Sequence, residues 1–146
     1  MPEASRSTVI ARPQDEVFAF LADGENDRRW RRGVVDVGRR SGEGRGAIYE
    51  QGVKGPLGRR VAADYEITGF EPARRIDFRA IAGPMQPHGT YRLESADGGT
   101  RVTFTLRCDL SGAKKLMTPM VGRTMRSEVA QLERLRDVLE QPDRAV

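Results

Sequence analysis

The sequence predicts an α+β fold of two layers, an antiparallel meander covered on one face by a long C-terminal helix. Three observations carry that expectation. From Val34 to Leu110, six runs with alternating apolar residues are separated by short Gly, Pro or Asp turns, the pattern of strands joined by hairpins. From about Gly112 to Glu140, Met117, Met120, Val121, Met125, Leu132, Leu135 and Leu139 recur at helical spacing and make one amphipathic helix. Paired antiparallel, the strands turn their apolar sets to a single face, so sheet and helix share one core.

The elements follow in order. Thr8-Val9-Ile10-Ala11 is a short apolar strand ended by Arg12-Pro13, whose proline sets the first turn of a helix. In that helix, Pro13 to Ala22, the residues Val17, Phe18, Phe20 and Leu21 form the apolar stripe, and Asp15 and Glu16 complement the positive N-terminal end. A shorter helical piece follows Asp23-Gly24 and reaches Trp30. The strands then cover roughly 34–40, 45–53, 59–70, 74–82, 88–95 and 100–110. Pairing Ser95 with Thr100 across a loop from Ala96 to Gly99 sets Leu93 opposite Val102 and Tyr91 opposite Phe104. Pairing Phe70 with Arg75 aligns Val61, Ala63, Tyr65 and Ile67 with Ile76, Phe78 and Ala80. Pairing Val53 with Arg59 adds Ala47, Tyr49, Gln51 and Val53 to the same face. The opposite face carries Asp64, Glu66, Asp77, Arg79, Arg92, Glu94, Arg101, Thr103, Thr105 and Arg107 and should meet water. The closing helix is expected to be irregular at Pro119 and Gly122.

Composition narrows the classes. A length of 146 residues suits a single domain over 1–146, with its core at about 5–140. Hydrophobic residues at 38% and charged residues at 32% are ordinary globular usage and exclude bulk disorder. No apolar run approaches the roughly 18 residues that span a bilayer. The start, MPEASRSTVIARPQDE, lacks the layout of a signal peptide, so a cytoplasmic protein is expected. The lone Cys108 has no disulfide partner and no base beside it, and reads as an inert core thiol. A single histidine without paired carboxylates or cysteines makes no metal site, and GEGRG at 42–46 lies between strands as a turn. No nucleophile triad or dinucleotide fingerprint appears, so neither metal nor cofactor is expected. Arginine supplies 22 of the 25 cations behind the net charge of +4. The run Arg28-Arg29-Trp30-Arg31-Arg32 has the make-up of a phosphate site with a stacking indole. The other arginines are interleaved with acids, so the run reads as a solvated face around one anchoring tryptophan, and nucleic acid is not an expected partner.

Four stretches in a fixed order carry a family resemblance. They are VIARPQDEVFAFLADGENDRRW at 9–30, ITGFEPARRIDF at 67–78, YRLESADGGTRVTFTL at 91–106, and the leucine-rich C-terminal helix ending Leu-Arg-Asp-Val-Leu-Glu. Nearly end to end, the chain resembles the SRPBCC superfamily, also called START-like or helix-grip, and specifically its polyketide cyclase/dehydrase branch. The resemblance implies a curved seven-stranded antiparallel sheet around the long helix, two short helices after the first strand, and a cavity that binds lipids, sterols, polyketides or plant hormones. It implies no single activity, since carriers, cyclases, aromatases, iron-sulfur hydroxylases and co-chaperone relatives share the fold. The chain has neither room for a Rieske domain nor the Cys and His ligands one needs, which excludes the hydroxylases.

On the expected inward face, the pocket lining would be Tyr49, Gln51, Val61, Ala63, Tyr65, Phe78, Ala80, Tyr91, Leu93, Phe104 and Leu106 from the sheet. The helix would add Met117, Val121, Thr124, Met125 and Glu128. Ala47, Ala63 and Ala80 are small where a tight core would prefer Val or Leu, which leaves room for a guest. The tyrosine hydroxyls either find partners locally or touch that guest. Glu128 falls inside the apolar stripe of the helix, where desolvation would raise its pKa and suit it to general acid or base work. The alternative pairs it with Arg59 or a nearby arginine at the cavity edge. His88, on the face opposite Tyr91, belongs at the rim or in solvent unless the loop from Gly83 to Gly89 swings it over the mouth. The leading expectation is a binder of a small hydrophobic or amphipathic molecule. The alternatives are a cyclase or dehydratase acting in the same cavity, and a co-chaperone-like interaction module. A peripheral contact between acidic lipids and the 28–32 cluster is a further expectation, and the chain is expected to be a monomer or homodimer.

Overall fold

The first strand is longer than its apolar centre suggests. β1 spans Glu3–Ile10 and pairs along its whole length with β8, Gly99–Arg107, from Glu3 opposite Arg107 to Ile10 opposite Thr100. Its added N-terminal half is polar because alternate residues face outward, where the Ser5 and Ser7 hydroxyls bond those of Thr105 and Thr103 at 3.0 and 2.7 Å. Ala4, Thr8 and Ile10 turn inward. The computed structural model describes residues 2–83 and 85–141. Residue 1, Pro84 and residues 142–146, at the ends of the expected domain and in the 83–89 loop, lie outside that description.

After β1 come α1, Gln14–Ala22, capped by Pro13, and the single turn α2, Asp27–Trp30. The strands that follow are β2 (Val34–Ser41), β3 (Ile48–Lys54), β4 (Arg60–Ala62), β5 (Tyr65–Glu71), β6 (Arg75–Ala80) and β7 (His88–Ala96). The sheet is antiparallel in the order β1-β8-β7-β6-β5-β3-β2, seven strands with the short β4 paired beside β3. β1 and β2 therefore lie at opposite edges, and α1 and α2 carry the chain across the inner face between them.

Three hairpins refine the expected registers. Between β7 and β8 the pairing of Ser95 with Thr100 continues to Ala96 with Gly99, leaving a two-residue turn. That turn is Asp97-Gly98 with positive φ at both positions, 34° and 79°, which matches strand twist. Between β5 and β6 the pairing near the turn is Glu71 with Arg75, one residue from the expected one. A register shift between Ile67 and Gly69 absorbs the difference and restores Ile67 opposite Phe78 and Tyr65 opposite Ala80. Between β3 and β4, Val53 pairs with Val61 instead of Arg59. A two-residue shift leaves every side chain on its face, so the inward set survives. The expected 59–70 strand breaks at Ala63-Asp64, where the Asp64 carboxylate accepts the Gln51 N–H at 3.0 Å and the Ala63 N–H reaches the Gln51 carbonyl at 2.8 Å. A short acidic side chain here replaces a backbone acceptor, and Asp64 is engaged with β3 where water was expected.

The C-terminal helix enters through a 3-10 segment, Gly112–Met117, and consists of α3 (Thr118–Val129) and α4 (Leu132–Glu140). Pro119 sits harmlessly in the first turn of α3, and Gly122 lies within it unbroken. The irregularity falls instead at Ala130-Gln131, where both residues stay right-handed but bonds tighten to i→i+3, as from the Arg134 N–H to the Gln131 carbonyl at 2.8 Å. At this bend the Gln131 side chain accepts the Arg32 N–H at 3.3 Å and Arg134 Nε donates to the Trp30 carbonyl at 3.1 Å, fastening the helix to α2. Trp30 is fully buried beneath them, edge-on to Tyr91 and Phe104 with ring centroids at 6.2 and 6.1 Å. Val17, Ile10, Ile76, Val102, Leu132 and Leu135 complete the centre of the core.

Phe78 depends on a glycine. It lies opposite Gly89 in register, and a β-carbon on Gly89 would stand 2.1 Å from the Phe78 ring. The ring covers the space a side chain would occupy. Gly89→Ala is therefore expected to displace Phe78 and destabilise the fold by about 1–3 kcal/mol, read from urea unfolding.

Candidate functional site

A cleft of about 320 Å³ opens between the β3 to β6 half of the sheet and α3. Val53, Val61, Ala63, Phe78, Ala80, Met85, Leu106 and Met125 give it mainly apolar walls, and the small Ala63 and Ala80 leave its space unfilled. Its inner end is polar, lined by Arg31, Gln51, Tyr65 and Glu128.

That polar end is built from one helical turn. Asp27 and Arg31 stand four residues apart at either end of α2, and Trp30, locked in the core, turns Arg31 inward. Arg31 Nε donates to Glu128 Oε1 at 2.6 Å, and Nη1 donates to Asp27 Oδ2 at 3.3 Å and Gln51 Oε1 at 3.4 Å. Gln51 Nε2 in turn donates to the Ala63 carbonyl at 3.2 Å. The Tyr65 hydroxyl donates to Asp27 Oδ2 at 2.8 Å. Tyr65 also stacks on Tyr49 with centroids 5.1 Å apart. Gly24 makes this approach possible, since a β-carbon there would lie 2.1 Å from the Tyr65 oxygen and 2.8 Å from the Tyr49 ring.

Burial pushes the Asp27 carboxyl up to about 6, against the lowering effect of Arg31 and the Tyr65 hydroxyl. Burial, then the nearby Asp27 charge, raises the Tyr65 and Tyr91 phenols well above their ordinary value, so both remain protonated. Burial lowers the Arg31 pKa, but the Glu128 and Asp27 carboxylates more than offset it and leave the guanidinium firmly charged.

Of the residues expected at the pocket, Gln51, Val61, Ala63, Tyr65, Phe78, Ala80, Leu106, Thr124, Met125 and Glu128 border the cleft. Tyr91 lies one step behind, beside a void of about 10 Å³ shared with Asp27 and Arg31. Tyr49, Leu93, Phe104, Met117 and Val121 do not reach it. α1 and Trp30 cover the half of the sheet that holds Leu93 and Phe104, and Tyr49 is sealed beneath Gly24 and Tyr65. Val121 belongs to α3, which packs on β1 and β8, and Met117, the last residue of the 3-10 segment before it, packs against the core. Ala47 is likewise core. His88 is exposed on the outer face, between Arg79 and Arg107 in register, because strand parity turns it away from the cleft. Glu128 pairs with Arg31, while Arg59 is exposed. In the 28–32 run Trp30 is the expected anchor and Arg28, Arg29 and Arg32 point out, but Arg31 departs from the solvated face and points in.

Asp27 and Arg31 are the site residues that sequence reasoning missed. Their signal was an acid and a base at i,i+4 around the anchoring tryptophan. Among the described residues no group of His, Cys, Asp or Glu side chains is placed to hold a metal ion, and no helix is long and apolar enough to cross a membrane.

Residues 1–140 match the model of a family described as polyketide cyclase / dehydrase and lipid transport. The chain belongs to that family. An uncharacterized protein of Mycobacterium tuberculosis is 28% identical over 145 residues, covering 93% of this chain and 86% of the relative. The crystal structure of TTHA0849 from Thermus thermophilus superposes with a TM-score of 0.79 at 21% identity, covering 94% of this chain and 97% of that one. The Zhui aromatase/cyclase from a Streptomyces species does so at 0.77 and 21% identity, covering 98% and 96%. These likenesses establish the helix-grip fold.

The raised Asp27 has a consequence for stability. Between its ordinary 3.8 and about 6 the folded chain holds a proton that the unfolded chain has released, so stability falls as pH rises through that window. Asp27→Asn removes this slope. Urea unfolding from pH 4 to 7 should show the variant gaining on the parent by about 1.4 kcal/mol per pH unit within the window and not beyond it.

Proposed function

We propose that the protein binds a small, uncharged amphipathic molecule in the cleft, apolar body against the sheet and polar end against Arg31 and Glu128. The observation that carries this is the cleft itself, an apolar-walled space closed at its inner end by a buried hydrogen-bonded cluster. Its volume sits at the small end of ligand pockets, which suits a compact guest of a few rings or a short chain. Two carboxyl groups face one guanidinium in the cluster, so no positive charge is left over for a carboxylate ligand. Among the described residues no hydrogen bond uses Arg31 Nη2 or Glu128 Oε2. Together these offer donors to a ligand carbonyl and an acceptor to a ligand hydroxyl. The family match and the likeness to an aromatase/cyclase support a hydroxylated or carbonyl-bearing guest such as a polyketide or an oxygenated lipid.

A second reading, a cyclase or dehydratase, rests on Glu128, whose side chain is 27% exposed and borders the cleft. There it would exchange a proton with the guest while the walls orient the chain. Glu128→Gln is expected to spare binding and abolish any turnover of an aromatic poly-carbonyl substrate. Unchanged turnover would remove Glu128 from the chemistry.

The binding reading is tested with Nile red, a neutral apolar dye, and by native mass spectrometry of freshly purified protein. The parent should bind the dye, and Ala63→Phe, which fills the cleft, should weaken it at least about tenfold with no change in circular dichroism. Equal dye binding by the two proteins would overturn the assignment of the cleft.

A further inference from the structure

We infer that the protein docks on an anionic lipid surface with the mouth of the cleft against the bilayer. The inference builds on the ligand-binding reading by naming where the guest is exchanged. Three segments rim the mouth. The β3–β4 turn rises from Lys54 and Val61, both in the cleft wall. The loop before β7 contributes Ala82, Gly83, Met85 and Pro87. The third segment, leading into α3, runs beside that loop, since Gly83 and Met85 also border Asp109, Leu110 and Lys114. Along α3 itself Glu128 and Thr124 line the cleft, and Met120, four residues earlier, stands one turn further out.

The large hydrophobic side chains exposed among the described residues concentrate here. Leu57 is 98% exposed at the tip of the β3–β4 turn, Leu116 is 88% exposed and Met120 50%, with Val35 the one elsewhere. Leu57 also holds a left-handed φ of 59°, a conformation in which a glycine or asparagine would fold more easily. Neither packing nor local geometry explains a leucine there.

Charge follows the same pattern. Residues 51–63 and 110–127 carry Lys54, Arg59, Arg60, Lys114, Lys115, Arg123 and Arg126 and no acid, while the whole chain has a net charge of only +4. The rest of the molecule is therefore net acidic. Arg60 is engaged by Asp36 and Asp109 stands at the margin, but the rim remains strongly basic. Apolar tips within a basic ring match an interface of acyl chains under anionic headgroups. Docked this way, the cleft opens onto the bilayer and an apolar guest passes without crossing water.

The test is co-sedimentation with vesicles of phosphatidylcholine alone or mixed with phosphatidylglycerol. The parent should bind the mixed vesicles, lose them as salt is raised, and ignore the neutral ones. Leu57→Ser with Leu116→Ser, and separately Lys115→Glu with Arg123→Glu, should each weaken binding at least about tenfold while melting temperature and Nile red binding in solution stay unchanged. Reversal of Arg92 and Arg107 on the outer sheet face should leave vesicle binding intact. Equal binding to both vesicle types, insensitivity to the rim variants, or retention on immobilised polyglutamate without vesicle binding would overturn the inference. Rim-dependent vesicle binding by a protein that fails to bind Nile red would instead overturn the ligand reading and leave the docking surface standing.

Discussion

One guanidinium joins the layers of this fold. Arg31 leaves the end of α2, bonds Glu128 on α3, meets Gln51 on β3 and, through Asp27, connects to Tyr65 on β5. A buried charge survives only with partners, and besides Asp27 on its own helical turn these come from β3 and α3, far apart in sequence. The position of α2, the bend that brings α3 and α4 over Trp30, and the close stacking of Tyr49 and Tyr65 on Gly24 all bring those partners together. Such clusters rarely add net stability over a well-packed apolar substitute. Their cost is better explained by what they border, the inner end of a cleft.

The cleft exists because the inner face of the sheet is covered unevenly. α1, Trp30 and the start of α3 fill the side of β1, β7 and β8, where Leu93, Val102 and Phe104 are fully packed. Over β3 to β6 the cleft-facing Ala63 and Ala80 are small, and the α3 residues Thr124, Met125 and Glu128 stand across an open space from them. Dry interiors are close-packed, so an unfilled apolar space of this size beside a polar cluster sets this part of the molecule apart from its core. The same end of the molecule gathers the exposed leucines and the excess basic charge.

How much of this was legible depended on whether the signal was local. Alternation put Tyr65 opposite Ala80 and Ile67 opposite Phe78 even though the turn beside them was misjudged by one residue, because a bulge returned the strands to phase. The two-residue error at β3–β4 cost nothing, since faces repeat every second residue. The polar half of β1 was missed because its partners are hydroxyls on a distant strand. Glu128 was legible from the helical wheel, but its partner was not: Arg31 lies in a run of arginines that looks uniformly solvated until Trp30 is known to rotate one of them inward.

By itself the sequence determined the fold class, the inward and outward sets of the strands, the amphipathic closing helix and the family. These follow from periodicity and turn chemistry, which act over a few residues and leave their mark in order along the chain. Only the tertiary structure decided which inward residues face open space, which carboxyls share the buried guanidinium and where the helix bends. Those outcomes depend on how curved layers meet and which side chains are stripped of water together, and no short window of residues contains that information.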